Sequence, residues 1–412
     1  MIDSSFLGPS GQWLTDVPAR WNNAPLWSMF DRIKDVEHPD EMMLSVFRDY
    51  GVVPKESREN LNKTAENRNI YQLVHPGWFV VNRMKAWQGS VGISEYRGIV
   101  SGHYICFAPT HQEDVRYLNY ALRSDAYRAI YQGLSRGVRP GQIEIDNGQL
   151  RKLPISLPPL EEQQAITEYL DREIGQIDAL IAAQERFIGL LQERRQAVIG
   201  HAFQELPNSR IQLRRFIQFL TSGSRGWGDY YADDGDVFVR IGNLPRQSLE
   251  LGGEIQRVDL PPHVREGQRT RLREKDLLFS ITAYIGSVAV VGPGWVDAYV
   301  SQHVALCRLD LSRLDPRFVG YFMLGTEGQD QLLQGAVGGT KVQLALDDIR
   351  GLRIPAPTLQ EQRRIAAHLD SETAKIDKLI VKTKRHIDLA KERKSALITA
   401  AVTGQIDITK GA

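Results

Sequence analysis

Apolar positions between Leu170 and Val198 recur on a seven-residue period. Ile174, Ile181 and Ile188 form one row, and Leu170, Ile177, Leu191 and Val198 form the adjoining one. Such a double row is the seam of a coiled coil, narrower than the stripe of a helix lying on a globular core. The stretch occurs twice. PPLEEQQAITEYLDREIGQIDALIAAQERFIGLLQERRQAVI begins at Pro158, and PTLQEQRRIAAHLDSETAKIDKLIVKTKRHIDLAKERKSALI begins at Pro357. The two align without a gap at an offset of 199 residues, and 19 of 42 positions are identical. The second copy keeps Leu369, Ile376, Ile380, Ile387 and Leu397. Prolines precede both starts, and Thr358 with Glu361 has capping-box spacing, whereas the first copy has Pro159 in place of that threonine. About 40 residues rising 1.5 Å each make a rod of roughly 60 Å. A rod cannot bury its seam alone, and the expected partner is the other copy.

Charge favours that pairing. Residues 158–203 carry eight acids and four bases, net −4, and residues 357–412 carry seven acids and eleven bases, net +4. Opposite charge beside a seam favours mixed over like pairing.

The segments between the rods alternate differently. In GWFVVNRMKAWQGSVGISEYRGIVSGHYICF, Val80, Val81, Val91, Ile93, Ile99, Val100 and Ile105 form strand-like runs bounded by Gly89, Gly92, Gly98 and Gly102. A helical stretch, DVRYLNYALRSDAYRAIYQG, follows. The second segment repeats this order: Ala86/Ala283, Trp87/Tyr284, Gly89/Gly286, Ser90/Ser287, Ser101/Ser301, His103/His303, Asp114/Asp315, Arg116/Arg317 and Tyr120/Tyr321 correspond. A repeat of this length means two copies of a larger unit. The expected fold is α+β, with a pseudo-twofold internal repeat: two globular domains separated by two long helices packed as an antiparallel coiled coil. The expected boundaries are 1–157, 158–203, 204–356 and 357–412, the last including the tail, which should end against the first globule or the rods. Trp13, Trp21 and Trp27 are expected to pack in the first core.

Composition removes several alternatives. No apolar run approaches the ~18–20 residues needed to cross a bilayer, and MIDSSFLGPSGQW lacks the basic and apolar regions of a secretory signal. Cys106 and Cys307 are too few for a disulfide scaffold or a cysteine zinc cluster, and each ends an apolar run, as a buried thiol would. Residues 1–157 have 18 bases and 17 acids, and residues 204–356 have 18 of each, so neither announces nucleic acid by charge alone. The densest basic run, Arg265, Arg269, Arg271, Arg273 and Lys275, reads as a solvated strand edge with a phosphate contact as the alternative. No nucleotide-binding, zinc-protease or nucleophile-elbow motif occurs; Gly335–Lys341 resembles a phosphate loop but has threonine at its second glycine position. The nine histidines show no metal-ligand spacing, and His103 and His303 read as packing or hydrogen-bonding residues.

Two diverged globules, two similar rods and no catalytic motif together resemble the specificity subunits of type I restriction–modification systems. The resemblance covers essentially the whole chain. It is carried by LPISLPPLEEQQAI at 153–166, LRIPAPTLQEQRRI at 352–365, AAVTGQIDI at 400–408 and MKAWQGSVGISEYRGIVSGHY at 84–104. It implies that each globule is a target recognition domain for one half of a split double-stranded DNA site. The rods would set the spacing and dock two methyltransferase subunits, and restriction subunits would join a cytoplasmic assembly. This chain would bind no cofactor and catalyse nothing; S-adenosylmethionine and ATP with magnesium would sit on the partners.

Base readout needs Arg, Lys, Asn or Gln, and phosphate contacts also draw on Ser, Thr and backbone amides. In the first globule the candidates are Lys85, Trp87, Gln88, Ser90, Arg136, Arg139 and Gln142. In the second they are Thr221, Ser222, Ser224, Arg225, Arg240, Asn243, Thr282, Tyr284, Ser287, Thr340 and Lys341. The helix-pairing seam is expected at Leu170, Ile174, Ile177, Ile181, Ile188, Leu191, Leu369, Ile376, Ile380 and Ile387. Two other classes compete: a stand-alone methyltransferase or nuclease, disfavoured by the missing motifs, and a protein scaffold that never meets DNA, favoured by near-neutral charge.

Overall fold

A computed structural model describes residues 5–57, 67–137, 142–261, 264–335 and 343–408. The chain forms two compact units. One comprises Met1–Gln184 with Arg385–Ala412, the other Glu185–Lys384, so each long helix contributes to both.

The first unit is built on a four-stranded antiparallel sheet in the order Phe30–Ile33, Tyr104–Pro109, Phe79–Asn82, Val91–Ile93. Side chains alternate across it. Phe79, Val81, Ile105 and Phe107 enter the main core with the helices Val115–Arg123 and Asp125–Leu134, while Val80 and Cys106 face a second cluster with Leu44, Val74 and Val100. A sheet covered on both faces explains the unbroken apolar run FVV, since neither register faces water. Ser124 divides the expected single helical stretch: its extended backbone ends one helix, and its hydroxyl accepts from Tyr127 N to cap the next.

The second unit repeats the sheet as Ile217–Ser222, Val304–Leu309, Leu277–Ser280, Val288–Val290. Leu277, Phe279, Ala305, Cys307 and Leu309 face one core, and Leu278, Ala289, Val304 and Leu306 the other. Helices Pro316–Leu324 and Thr326–Gly335 take the places of the first pair.

The long helices are Leu160–Gln204 and Leu359–Val402. Each unit contains its own antiparallel pairing of them. In the first, Ile166, Leu170 and Ile174 share a core with Leu397, Ile398, Ala401 and Val402, and Lys394 Nζ lies 2.7 Å from Asp178. In the second, Leu191 packs with Ile376 and Ile380, Ile188 adjoins them, and Arg195 pairs with Asp377. That last pair reverses the polarity expected from net charge, with the base on the acidic rod. Leu170 and Leu369 are fully buried where seam and globular core merge, because the first turns of each rod lie against both the other rod and their own sheet domain. Ile174, Ile177 and Ile387 are buried and Ile181 is half-buried.

Thr358 caps its helix through Glu361 N at 3.3 Å, but Glu361 turns to Arg364 instead of closing the box. The tail enters the first unit: Val402 and Ile408 join its core, and Gly404, at φ 73°, lies so close that an added Cβ would fall 2.3 Å from Pro18. Trp21 is buried and Trp13 packs edge-on against Tyr127, but Trp27 is exposed, contrary to expectation. Arg265–Thr270 is a 3₁₀ helix, not a strand, and Lys275 sits in a left-handed turn, so the basic run lacks the alternation of a strand edge.

Both cysteines are buried, and burial pushes each thiol up to about 12. Since the thiolate is the reactive form, an aromatic disulfide reagent at pH 8 should titrate no thiol in the native chain and both after denaturation. Rapid native labelling would contradict the described cores.

Candidate nucleic-acid interface

Each globule is fastened to its rod by the same side chains. Gln163 is fully buried; its Oε1 accepts from Asp114 N at 3.0 Å and its Nε2 donates to the Pro158 carbonyl at 2.9 Å. Gln362 does the same with Asp315 N at 2.9 Å and the Pro357 carbonyl at 2.9 Å. The two aspartates cap the first helix of each pair, at Tyr117 N and Phe318 N. Beside this, Asp171 accepts from Arg116 and Tyr120, and Asp370 accepts from Arg317 and Tyr321. Arg317 also donates to Glu250 at 2.7 Å. Burial, reinforced by the bond to Asp370, pushes the Tyr321 phenol up to about 12. Residues shared by the halves therefore hold scaffold to rod, which leaves the loops free to differ.

In the first unit the expected residues come together on one edge. Asn82 Oδ1 accepts from Met84 N and Lys85 N and starts the turn that links two sheet strands. Lys85 and Gln88 are exposed at its tip, and Gly89 closes it at φ 93°. Trp87 is half-buried with its indole N–H on the Met84 carbonyl at 3.1 Å. The hairpin Ser135–Arg136/Glu144–Ile145 lies alongside: Ile145 N donates to the Arg83 carbonyl at 3.0 Å, and Glu144 accepts from Arg83 Nε at 3.0 Å. It leaves Arg136 and Gln142 exposed next to the turn. Arg139 lies outside the described residues. Ser90 is buried and its N–H returns to the Lys85 carbonyl, so it shapes the turn instead of presenting a hydroxyl.

In the second unit three loops meet. Ser224 N donates to the Val300 carbonyl, Gln302 N to the Ser224 carbonyl, and Thr282 Oγ1 lies 3.1 Å from His303 Nδ1. The approach at Gly223 is so close that a Cβ would fall 2.0 Å from the Val300 oxygen. Arg225 is exposed and Ser222 half-buried. Tyr284 is 54% exposed in a left-handed conformation at φ 58°. Arg240 is half-buried, 4.0 Å from Glu254 and above the Tyr231 ring.

Four other candidates are withdrawn into the fold. Thr221 and Ser224 are buried by the meeting of the loops, and Ser287 by its own turn. Asn243 is buried as a brace, accepting from Arg240 N and donating to the Gly252 and Glu254 carbonyls, all at 2.8 Å. Thr340 and Lys341, with most of the phosphate-loop-like stretch, lie outside the described residues. His103 and His303 are exposed rather than packed, and the expected hydrogen bonding holds: both carbonyls accept, from Arg83 N and Ile281 N, and the His303 ring meets Thr282 Oγ1. Sequence reasoning passed over Arg246, whose guanidinium stacks 4.5 Å above the Tyr284 ring, because an isolated arginine in a Pro-Arg-Gln loop carries no pattern. Among the described residues no His, Cys, Asp and Glu cluster can hold a metal, and no helix is long and apolar enough to cross a membrane.

The family model of the type I restriction modification DNA specificity domain matches residues 32–185 and 264–387. The chain belongs to this family. As a type I specificity subunit it serves DNA sequence recognition and is not itself an enzyme. It is 23% identical over 313 residues to a protein of Methanocaldococcus jannaschii described as a putative type I restriction enzyme specificity subunit, MjaX, across 71% of this chain and 68% of that one. It is 22% identical over 279 residues to the Escherichia coli EcoBI specificity subunit, across 61% of this chain and 58% of the relative, so that match spans less than two thirds of the relative's length. A solved chain from work on complex assembly and conformational transition of a type I restriction–modification system covers 95% of this specificity subunit and 99% of its own length. Its TM-score is 0.65 at 15% identity, a likeness of fold.

Proposed function

We propose that each unit's globular part reads one half of an asymmetric, bipartite site in double-stranded DNA. The long helices set the gap between the halves and dock two methyltransferase subunits. Those partners carry S-adenosylmethionine and methylate adenine at N6, having flipped the base from the stack. Restriction subunits that use ATP and magnesium complete a cytoplasmic complex, and this chain binds none of the cofactors.

The supporting observation is one scaffold built twice with unlike loops. The strand order and the Gln–Asp fastening recur, while the candidate reading edges differ in composition and construction. A reader needs that division, because specificity can then change without altering what holds it. In the first half, Lys85, Trp87, Gln88, Arg136 and Gln142 are the residues we assign to DNA, with Arg139 beyond the described set. In the second they are Ser222, Arg225, Arg240, Thr282 and Tyr284, with Thr340 and Lys341 beyond it. The near-neutral globules supply a modest electrostatic term, so we assign much of the phosphate clamp to the partner subunits.

Co-expression with the cognate methyltransferase in a host lacking adenine methylation, followed by single-molecule sequencing, should reveal a split motif with a fixed gap. Replacing residues 204–356 by those of a relative should change one half of the motif and leave the gap intact. Copurifying proteins that yield no new methylation would sink this reading and favour the scaffold.

A further inference from the structure

We infer that Arg246, carried on the ring of Tyr284, reads a guanine in the half-site recognised by the second unit. This rests on the reading given under Proposed function and names a specificity-determining residue within it.

The geometry singles out this pair. Tyr284 stands at the tip of the turn between the strands Leu277–Ser280 and Val288–Val290. Its backbone is left-handed, a conformation that costs a tyrosine free energy and persists where the surroundings impose it. The turn is fixed on both sides: Ser287 N donates to the Tyr284 carbonyl at 3.1 Å, and Thr282 Oγ1 meets His303 Nδ1. The result is an aromatic ring held in water by a rigid base. The Arg246 guanidinium lies 4.5 Å from that ring's centroid.

Several arginines of this unit are tied to carboxylates, while Arg246, like the exposed Arg225, is tied to none among the described residues. Arg240 has Glu254 within 4.0 Å, Arg271 has Asp297, Arg308 has Asp276, and Arg317 has both Asp370 and Glu250. Among the described residues Arg246 has no carboxylate partner, and its side chain is exposed. Its planar fork is therefore oriented by stacking yet keeps its donors free. That is the state suited to bidentate pairing with guanine O6 and N7, for which arginine offers two donors in one fixed plane, whereas lysine offers a point charge on a flexible stem and holds the pair less strictly. The matched turn of the first unit is built otherwise. Trp87 occupies the place of Tyr284, but it is half-buried, its N–H is tied to the Met84 carbonyl, and no described arginine stacks on it.

The test uses the full chain co-expressed with its methyltransferase, with the half-site of residues 204–356 assigned by the domain exchange described above. Arg246→Lys keeps the charge and loses the fork. It should relax one G·C position in that half, with discrimination falling roughly tenfold or more, and leave the other half strict. Tyr284→Leu, which removes the platform, should relax the same position, and Tyr284→Phe should not. Copurification with the partner checks that each variant is folded. A motif that stays strict in Arg246→Lys overturns the inference, and so does Arg246→Ala that weakens methylation equally at every site, the signature of a phosphate contact. A wild-type complex that methylates no split motif overturns the underlying reading and this inference with it. A wild-type complex that does so leaves only the role of Arg246 at stake.

Discussion

Gln163→Leu should destabilise the first unit by about 3 kcal/mol, and Gln362→Leu should do the same to the second. Leucine matches glutamine closely in volume, so no cavity opens. The loss is polar. The buried Pro158 carbonyl and the partly buried Asp114 N–H would lose their partners, and a fully buried orphan costs about 1–3 kcal/mol. The loss also loosens the aspartate that caps the first helix of the pair, coupling rod to globule. A unit of this size should show a fall in melting temperature of roughly 6–12 °C. Asp171→Ala is the informative contrast. Asp171 and Arg116 are 41% and 58% exposed, so their ion pair is screened, and the change should stay under about 1 kcal/mol. Hydrogen exchange at the Val115–Arg123 amides separates the two. If Gln163→Leu leaves those amides as protected as in the wild type, the buried glutamine does not hold the joint.

These glutamines also mark how far the sequence could be read. Gln163/Gln362, Asp114/Asp315, Tyr120/Tyr321 and Asp171/Asp370 are repeated identities, and the structure places them in one joint per unit. Identity between halves thus located the scaffold and the rods, whose seven-residue period is dictated by helix geometry alone. The strands were legible for a related reason. FVV is continuous because both sheet faces are covered, and glycines bound the shorter runs that follow it. The reading edges were legible only as regions. Ser90, Thr221, Ser224, Asn243 and Ser287 carry side chains suited to DNA but are buried, some by their own turns, as Ser90 and Ser287 are, and Ser224 by a crossing with residue 301. Composition cannot report a crossing. The same limit concealed Arg246, whose environment is set by a turn 38 residues away, and it made a strand of Arg265–Thr270, where burial of Thr270 and its hydroxyl bond to the Gly267 carbonyl favour a 3₁₀ turn.

Asp276→Ala should be the most damaging single change in the second unit, costing about 3–5 kcal/mol. Asp276 is 2% exposed and Arg308 17%. The carboxylate accepts from Arg308 Nε at 2.8 Å and Nη2 at 2.6 Å, and it closes the Arg273–Asp276 turn by accepting from Arg273 N at 2.8 Å. Removing it leaves a guanidinium enclosed by protein without its counter-charge, at the strand Val304–Leu309 in the middle of the sheet. The size of that penalty does not measure how much the pair stabilises the fold. Desolvating two charges costs nearly what their attraction returns, so the double change Asp276→Leu with Arg308→Leu should come out within about 1–2 kcal/mol of the wild type, provided the turn keeps its shape. The cycle should therefore be strongly non-additive, with a coupling above roughly 2 kcal/mol, as expected for groups in direct contact. Urea denaturation followed by hydrogen exchange at the Leu277–Ser280 amides reads this unit specifically. Additive single effects, each under 1 kcal/mol, would mean that the pair is solvated and that this strand draws its stability from Leu277, Phe279 and Leu306 alone.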